Sequence, residues 1–101
     1  IMSKIKMLDG KEYKLKSLSS LDLKKVEEMQ KENKKKKDKG ISDYDMTFKL
    51  FLFAFKKFNP GMKNMSLDEF MEIFPLVDME NKSNEIMAVT GLDFKKGVGK
   101  K

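Results

Sequence analysis

The chain has 101 residues, 22 basic against 16 acidic, for a net charge of +6 and a pI near 9.4. All of its basic residues are Lys, and it holds no His, Cys or Trp. Those absences remove the commonest general base, the thiol nucleophile and the soft metal ligands, and without Arg there is no planar fork to read guanine or clamp phosphate.

The length suits one domain with a modest core, assigned to residues 2–94, with a basic flexible tail at 95–101. Ile1, ahead of Met2, is read as no part of the fold. Residues 1–40 carry 13 Lys and 7 acids, residues 41–90 carry 5 Lys and 8 acids, and residues 91–101 carry 4 Lys and 1 acid. The basicity therefore belongs to the first helix and the tail, which argues against a basic groove in the body of the fold. No run approaches 18 apolar residues, so no membrane span is expected. The charged, strand-like N-terminus predicts no secretory signal, and the lack of Cys suits a cytoplasmic protein.

Residues 4–16 read as a β-hairpin. Apolar and polar residues alternate on both sides of Asp9-Gly10, a pair that favours a type I′ turn. Ile5, Met7, Tyr13 and Leu15 are expected to face a core, with the lysines toward water. Such a hairpin is marginal alone and must lie on helices or pair with another sheet edge, so its free edges are candidates for pairing between subunits.

A helix over about 20–38 follows, capped by Ser19 or Ser20 with Leu18 ahead of the cap as a staple residue. Its apolar stripe is Leu23, Val26 and Met29 or Gln30. Beyond that stripe the chain turns wholly polar, and Lys34, Lys35, Lys36 and Lys37 form a basic arm. A solvated helix end or loop is the ordinary reading of such a run; contact with phosphate or nucleic acid is the functional one.

The next helix, 43–58, organises the rest. Phe48, Phe51, Phe53, Phe55 and Phe58 lie in it, five of the eight Phe in the chain. Tyr44, Phe48, Phe51, Phe55 and Phe58 make one stripe, and Leu50, Phe53 and Ala54 a second beside it. Ser42 with Asp45 resembles a capping box, and Asn59-Pro60-Gly61 ends the run. A helix apolar over most of its circumference must be covered. Some of Phe51, Phe53, Phe58, Met62 and Met65 is expected to stay exposed and to meet a partner. Nine Met, flexible and polarisable, suit adaptable binding surfaces, although core filling explains them as well.

Ser66-Leu67-Asp68-Glu69 is a full capping box opening a helix at 66–74 that carries Leu67, Phe70, Met71, Ile73 and Phe74 and stops at Pro75. Asp68, Glu69 and Glu72 are better explained by the positive end of that helix than by a cation site. A last helix, 79–90, starts at Asp78 or Asn81, with Gly91 as a left-handed cap and Leu92 and Phe94 folding back. No catalytic, cofactor-binding or metal-binding residues stand out. The fold class is α+β, mainly α: an N-terminal β-hairpin and about four helices packed around a Phe-rich central helix.

The pattern resembles the small tail assembly chaperones of long-tailed bacteriophages and prophages. The likeness is carried by the Ile5-x-Met7-Leu8-Asp9-Gly10-Lys11-Glu12-Tyr13-x-Leu15 hairpin and the Leu21-x-Leu23-x-x-Val26-Glu27 helix. The aromatic helix ending at Asn59-Pro60, the Ser66–Phe70 box and the close at Thr90-Gly91-Leu92 continue it. It covers roughly residues 4–94, and the order of elements, not a catalytic signature, makes the match. It implies a non-enzymatic protein of the host cytoplasm, absent from the mature virion, that binds the tape-measure protein and recruits tail-tube subunits. A homo-oligomer is expected, with no cofactor. The competing reading is a small basic nucleic-acid-binding or regulatory protein of phage origin. The pI and the Lys run support it; the missing Arg, the acidic middle and the lack of a helix-turn-helix pattern oppose it.

Overall fold

The computed structural model describes residues 2–35 and 43–92. Two antiparallel strands, β1 (Ser3–Lys6) and β2 (Glu12–Leu15), precede four helices: α1 (Ser20–Lys35), α2 (Asp43–Phe58), α3 (Leu67–Ile73) and α4 (Met79–Thr90). A 3-10 turn, Pro60–Met62, follows α2. The class is α+β, mainly α, with the hairpin first and the aromatic helix central. The ends expected for the first helix beyond residue 35, the Ser42 cap, Phe94 and the tail lie outside the described residues.

The strands pair Ser3 with Leu15, Lys4 with Lys14, Ile5 with Tyr13 and Lys6 with Glu12. Period-two alternation then puts Ile5, Met7, Tyr13 and Leu15 on one face, and all four are buried. The turn differs from the expected type I′. Gly10 N–H donates to the Met7 carbonyl at 3.0 Å and Met7 N–H to the Lys11 carbonyl at 3.0 Å. Gly10 has φ +84° while Asp9 stays on the negative side. This is a three-residue loop, a turn through Leu8-Asp9 followed by a left-handed glycine. The Asp9 carboxylate stabilises it by accepting Lys11 N–H at 3.0 Å and the Tyr13 hydroxyl at 2.5 Å. Those bonds draw Asp9 off the φ > 0 pairing that Asp-Gly otherwise favours.

Helix α2 fills the centre. Phe48, Leu50, Phe51, Leu52, Ala54 and Phe55 are buried along it, so the middle of both predicted stripes points inward, while Phe53 and Phe58 are half-buried. Phe48 meets Phe74 edge-on at 5.0 Å, Phe55 meets Phe70 at 5.4 Å, and Tyr13 approaches Phe55 edge-on at 6.2 Å. Edge-on ring pairs add about 0.5–1.5 kcal/mol each beyond the area they bury. The cluster thus joins the hairpin, α2 and α3 into one core.

The caps follow the sequence. Ser66 N–H donates to Glu69 Oε1 at 2.8 Å and Glu69 N–H to Ser66 Oγ at 3.1 Å, a reciprocal box that opens α3. Phe74, ahead of Pro75, is extended and ends it. Gly91, φ +89°, closes α4 by donating its N–H to the Met87 carbonyl at 2.9 Å. Asp78 precedes α4 in the left-handed region, φ 70°. On α1 the inward positions are Asp22 and Val26, with Met29 and Gln30 half-buried. Leu23, expected in that stripe, is largely exposed.

Candidate protein-binding groove

Helix α1 is capped by Ser19, whose hydroxyl accepts Asp22 N–H at 3.2 Å while Asp22 Oδ2 accepts Ser19 N–H at 2.9 Å. This Ser-x-x-Asp box turns the Asp22 carboxylate back toward the body, where Lys57, from the last turn of α2, is its ion-pair partner. Asp22 is only 5 % exposed. Its hydrogen bond from Lys57, together with those from Ser19, holds the carboxyl down to about 2 against the opposing effect of burial. The pair fixes the N-terminal end of α1 across the C-terminal half of α2.

Between these two helix ends runs a groove of about 490 Å³ lined by Leu21, Phe53, Lys25, Lys56, Lys57 and the Ser19–Asp22 cap. Phe53 is half-buried against the core and Leu21 is mostly exposed. Three ammonium groups and two apolar side chains thus share one surface. Lys57 also lies 5.7 Å from the centroid of the half-buried Phe58 ring, so one cation serves both Asp22 and an aromatic face. The body of the fold therefore does carry a local basic groove, although residues 41–90 are acidic in sum.

A second concavity, about 680 Å³, lies between the 3-10 turn and α3. Half-buried Met65 and Ile73 line it beside Asp68, Glu69 and Glu72. Glu69 is engaged in its capping box, and among the described residues no group of three or more His, Cys, Asp or Glu is placed to hold a metal ion.

The five apolar residues expected at a partner surface divide. Phe51 and Met62 are corrected: they are 0 % and 1 % exposed, because the Phe51 ring stacks on Phe74 at 6.3 Å and Met62 is turned into the core by the Pro60–Met62 turn. Phe53, Phe58 and Met65 are only partly covered. The structure does not gather those three into one patch: Phe53 belongs to the basic groove, Met65 to the acidic one, and Phe58 lies under Lys57. Of the basic arm, Lys34 and Lys35 end α1 with side chains outside the described set, and Lys36 and Lys37 lie outside the described residues altogether. Sequence reasoning missed Leu21, Lys25, Lys56 and Lys57. The Ser19-x-x-Asp22 spacing was the available signal, since a capping acid turned inward implies a cation to meet it.

Among the described residues no helix is long and apolar enough to cross a membrane. Comparison of the chain with known protein families, curated proteins and solved structures gives no match.

Proposed function

We propose that this protein is a non-enzymatic tail assembly chaperone of a long-tailed bacteriophage or prophage, acting in the host cytoplasm. In that role it binds the tape-measure protein as a homo-oligomer and brings tail-tube subunits to it. The observation that carries this reading is the groove between α1 and α2, where exposed Leu21 and half-buried Phe53 are ringed by Lys25, Lys56 and Lys57. An apolar floor with a rim that stays net positive after Asp22 pairs with Lys57 suits an amphipathic helix whose polar face bears negative charge. A long helical, acidic-faced polypeptide is such a ligand. The order of elements, from the hairpin to the Thr90-Gly91-Leu92 close, supports the same assignment.

The test is co-expression with a candidate tape-measure protein, scored by the fraction of that protein kept soluble. The parent chain keeps it soluble; Phe53→Glu, verified as folded by circular dichroism, loses at least about tenfold in affinity, the scale of a hot-spot residue. No gain in solubility, or equal rescue by Phe53→Glu, overturns the assignment. The lysine rim also favours a second reading, a nucleic-acid-binding regulator. Duplex binding that weakens steeply with salt, without retention of tape-measure protein, selects it.

A further inference from the structure

The two edges of the hairpin are treated differently. In the antiparallel register Ile5 faces Tyr13 in a hydrogen-bonded pair, because Met7 N–H reaches the Lys11 carbonyl two residues on. The peptide groups of Lys4, Lys6 and Lys14 therefore point away from the partner strand. On the β2 side Asn59 covers them. Its Oδ1 accepts Lys14 N–H at 2.9 Å and its Nδ2 donates to the Lys14 carbonyl at 2.8 Å, so one side-chain amide replaces a neighbouring strand. On the β1 side the Ile73 carbonyl accepts Leu8 N–H at 2.8 Å and stops there. The N–H and C=O groups of Lys4 and Lys6 have no partner among the described residues, leaving a short edge open between Met2 and Leu8.

The side chains flanking that edge state what fits it. Along β1 and its continuation, Met2, Lys4, Lys6 and Leu8 fall on the outer face, and all four are exposed. The sequence of that face is apolar, basic, basic, apolar. Behind it, Lys14 lies across from Lys4 and Glu12 across from Lys6. A second copy of β1 would set lysine against lysine, which is how edge strands deter one another.

We propose that the open edge of β1 accepts one extended segment of a partner protein carrying two acidic residues at alternate positions flanked by apolar ones. The partner adds a third strand. Its backbone takes up the four free groups of Lys4 and Lys6, and its carboxylates lie beside the two ammonium groups while its outer apolar residues meet Met2 and Leu8. The Ile73 contact limits the added strand to about seven residues, two per pleat repeat over Met2–Leu8. The edge lies outside the α1–α2 groove and stands or falls separately from it.

The full-length chain, labelled with 15N, is titrated with the capped heptapeptide Leu-Thr-Glu-Thr-Glu-Thr-Leu. The expected result is saturable shifts at the Lys4 and Lys6 amides, with hydrogen exchange at both slowed about tenfold or more, as strand pairing requires. Replacing both Glu of the peptide by Lys weakens binding about tenfold, two like-charge pairs displacing two opposite ones, and Lys4→Glu/Lys6→Glu in the protein reverses that preference. Lys6→Pro removes an outward N–H that the β1–β2 ladder does not use, so it abolishes binding while the Ile5 and Tyr13 amides keep their positions. If Lys6→Pro disturbs those amides, the charge reversal decides alone. Absence of saturable shifts, equal affinity for the Lys peptide, or a peptide-free dimer that protects Lys4 and Lys6 by itself overturns the proposal.

Discussion

The buried acid of α1 and the tyrosine of β2 sit in environments that make measurable demands. Asp22, held down to about 2 from an ordinary 3.8, has a folded-state pKa below its unfolded one. Its contribution is therefore complete above pH ~4 and is lost as pH falls toward 2. Allowing for the solvent around Lys57, the contribution is about 1–2 kcal/mol. Asp22→Asn should lower stability by that amount at pH 7 in urea unfolding, and the gap between the two proteins should narrow as pH falls through 2 and close only below it. Tyr13 behaves in the opposite sense. Burial, then the hydrogen bond and charge of Asp9, push its hydroxyl up to about 12. Its folded pKa exceeds the unfolded 10, so the stability it lends is whole below pH 10 and drains away between pH 10 and 12. Ultraviolet titration should resolve a late tyrosinate in the folded protein, and Asp9→Asn should bring it earlier.

At the scale of elements, segment ends decide more than segment middles. Asn59 stops α2 and clasps Lys14 while also donating to the Phe55 carbonyl at 2.8 Å. Asn59→Ala leaves that polar edge of β2 without its protein partner and should cost about 1–3 kcal/mol, read as a lower urea midpoint with an unchanged slope. Asp78 occupies a left-handed backbone at φ 70°, a conformation that costs an L residue about 1–2 kcal/mol. Asp78→Gly should stabilise by up to about 1 kcal/mol, less whatever the 2.6 Å bond from Asn81 Nδ2 supplies. Where helices α3 and α4 start or stop was legible in the sequence because caps and stops are local chemistry: Ser66 with Glu69, Phe74 before Pro75, Gly91 after Thr90. The hairpin turn was less so. Asp-Gly alone favours one turn, whereas the bond from Tyr13, four residues away, goes with another.

Across the whole molecule, the sequence pattern overstates how much apolar surface is left uncovered. Phe70, Phe74 and the hairpin face close over α2, with Ile86 in the same core, so Phe51 and Met62 are interior. Phe51→Ala should cost about 3–5 kcal/mol as a cavity mutation, seen as an unfolding midpoint shift, whereas Phe53→Ala, at a half-covered position, should cost far less. Burial counts of this kind depend on how helices cross, which periodicity within one helix does not contain. The groove was illegible for the same reason: Leu21 and Lys25 come from α1, Phe53 and Lys56 from α2, and the packing of Val26 with the Asp22–Lys57 pairing sets them face to face.

Among the described residues, ties fasten the opening segment to residues far later in the chain: Leu8 to Ile73, Lys14 to Asn59, Leu18 to Thr90 at 3.0 Å, and Asp22 to Lys57. During synthesis the first two dozen residues leave the ribosome on the order of ten seconds or less before their last anchor is made. The apolar side of the two-stranded ribbon finds its first cover when Phe55 and Asn59 arrive, and the tie from Leu18 waits for Thr90. A chain cut between residues 74 and 90 would thus keep the ties to Lys57, Asn59 and Ile73 and lose the one from Leu18 to Thr90.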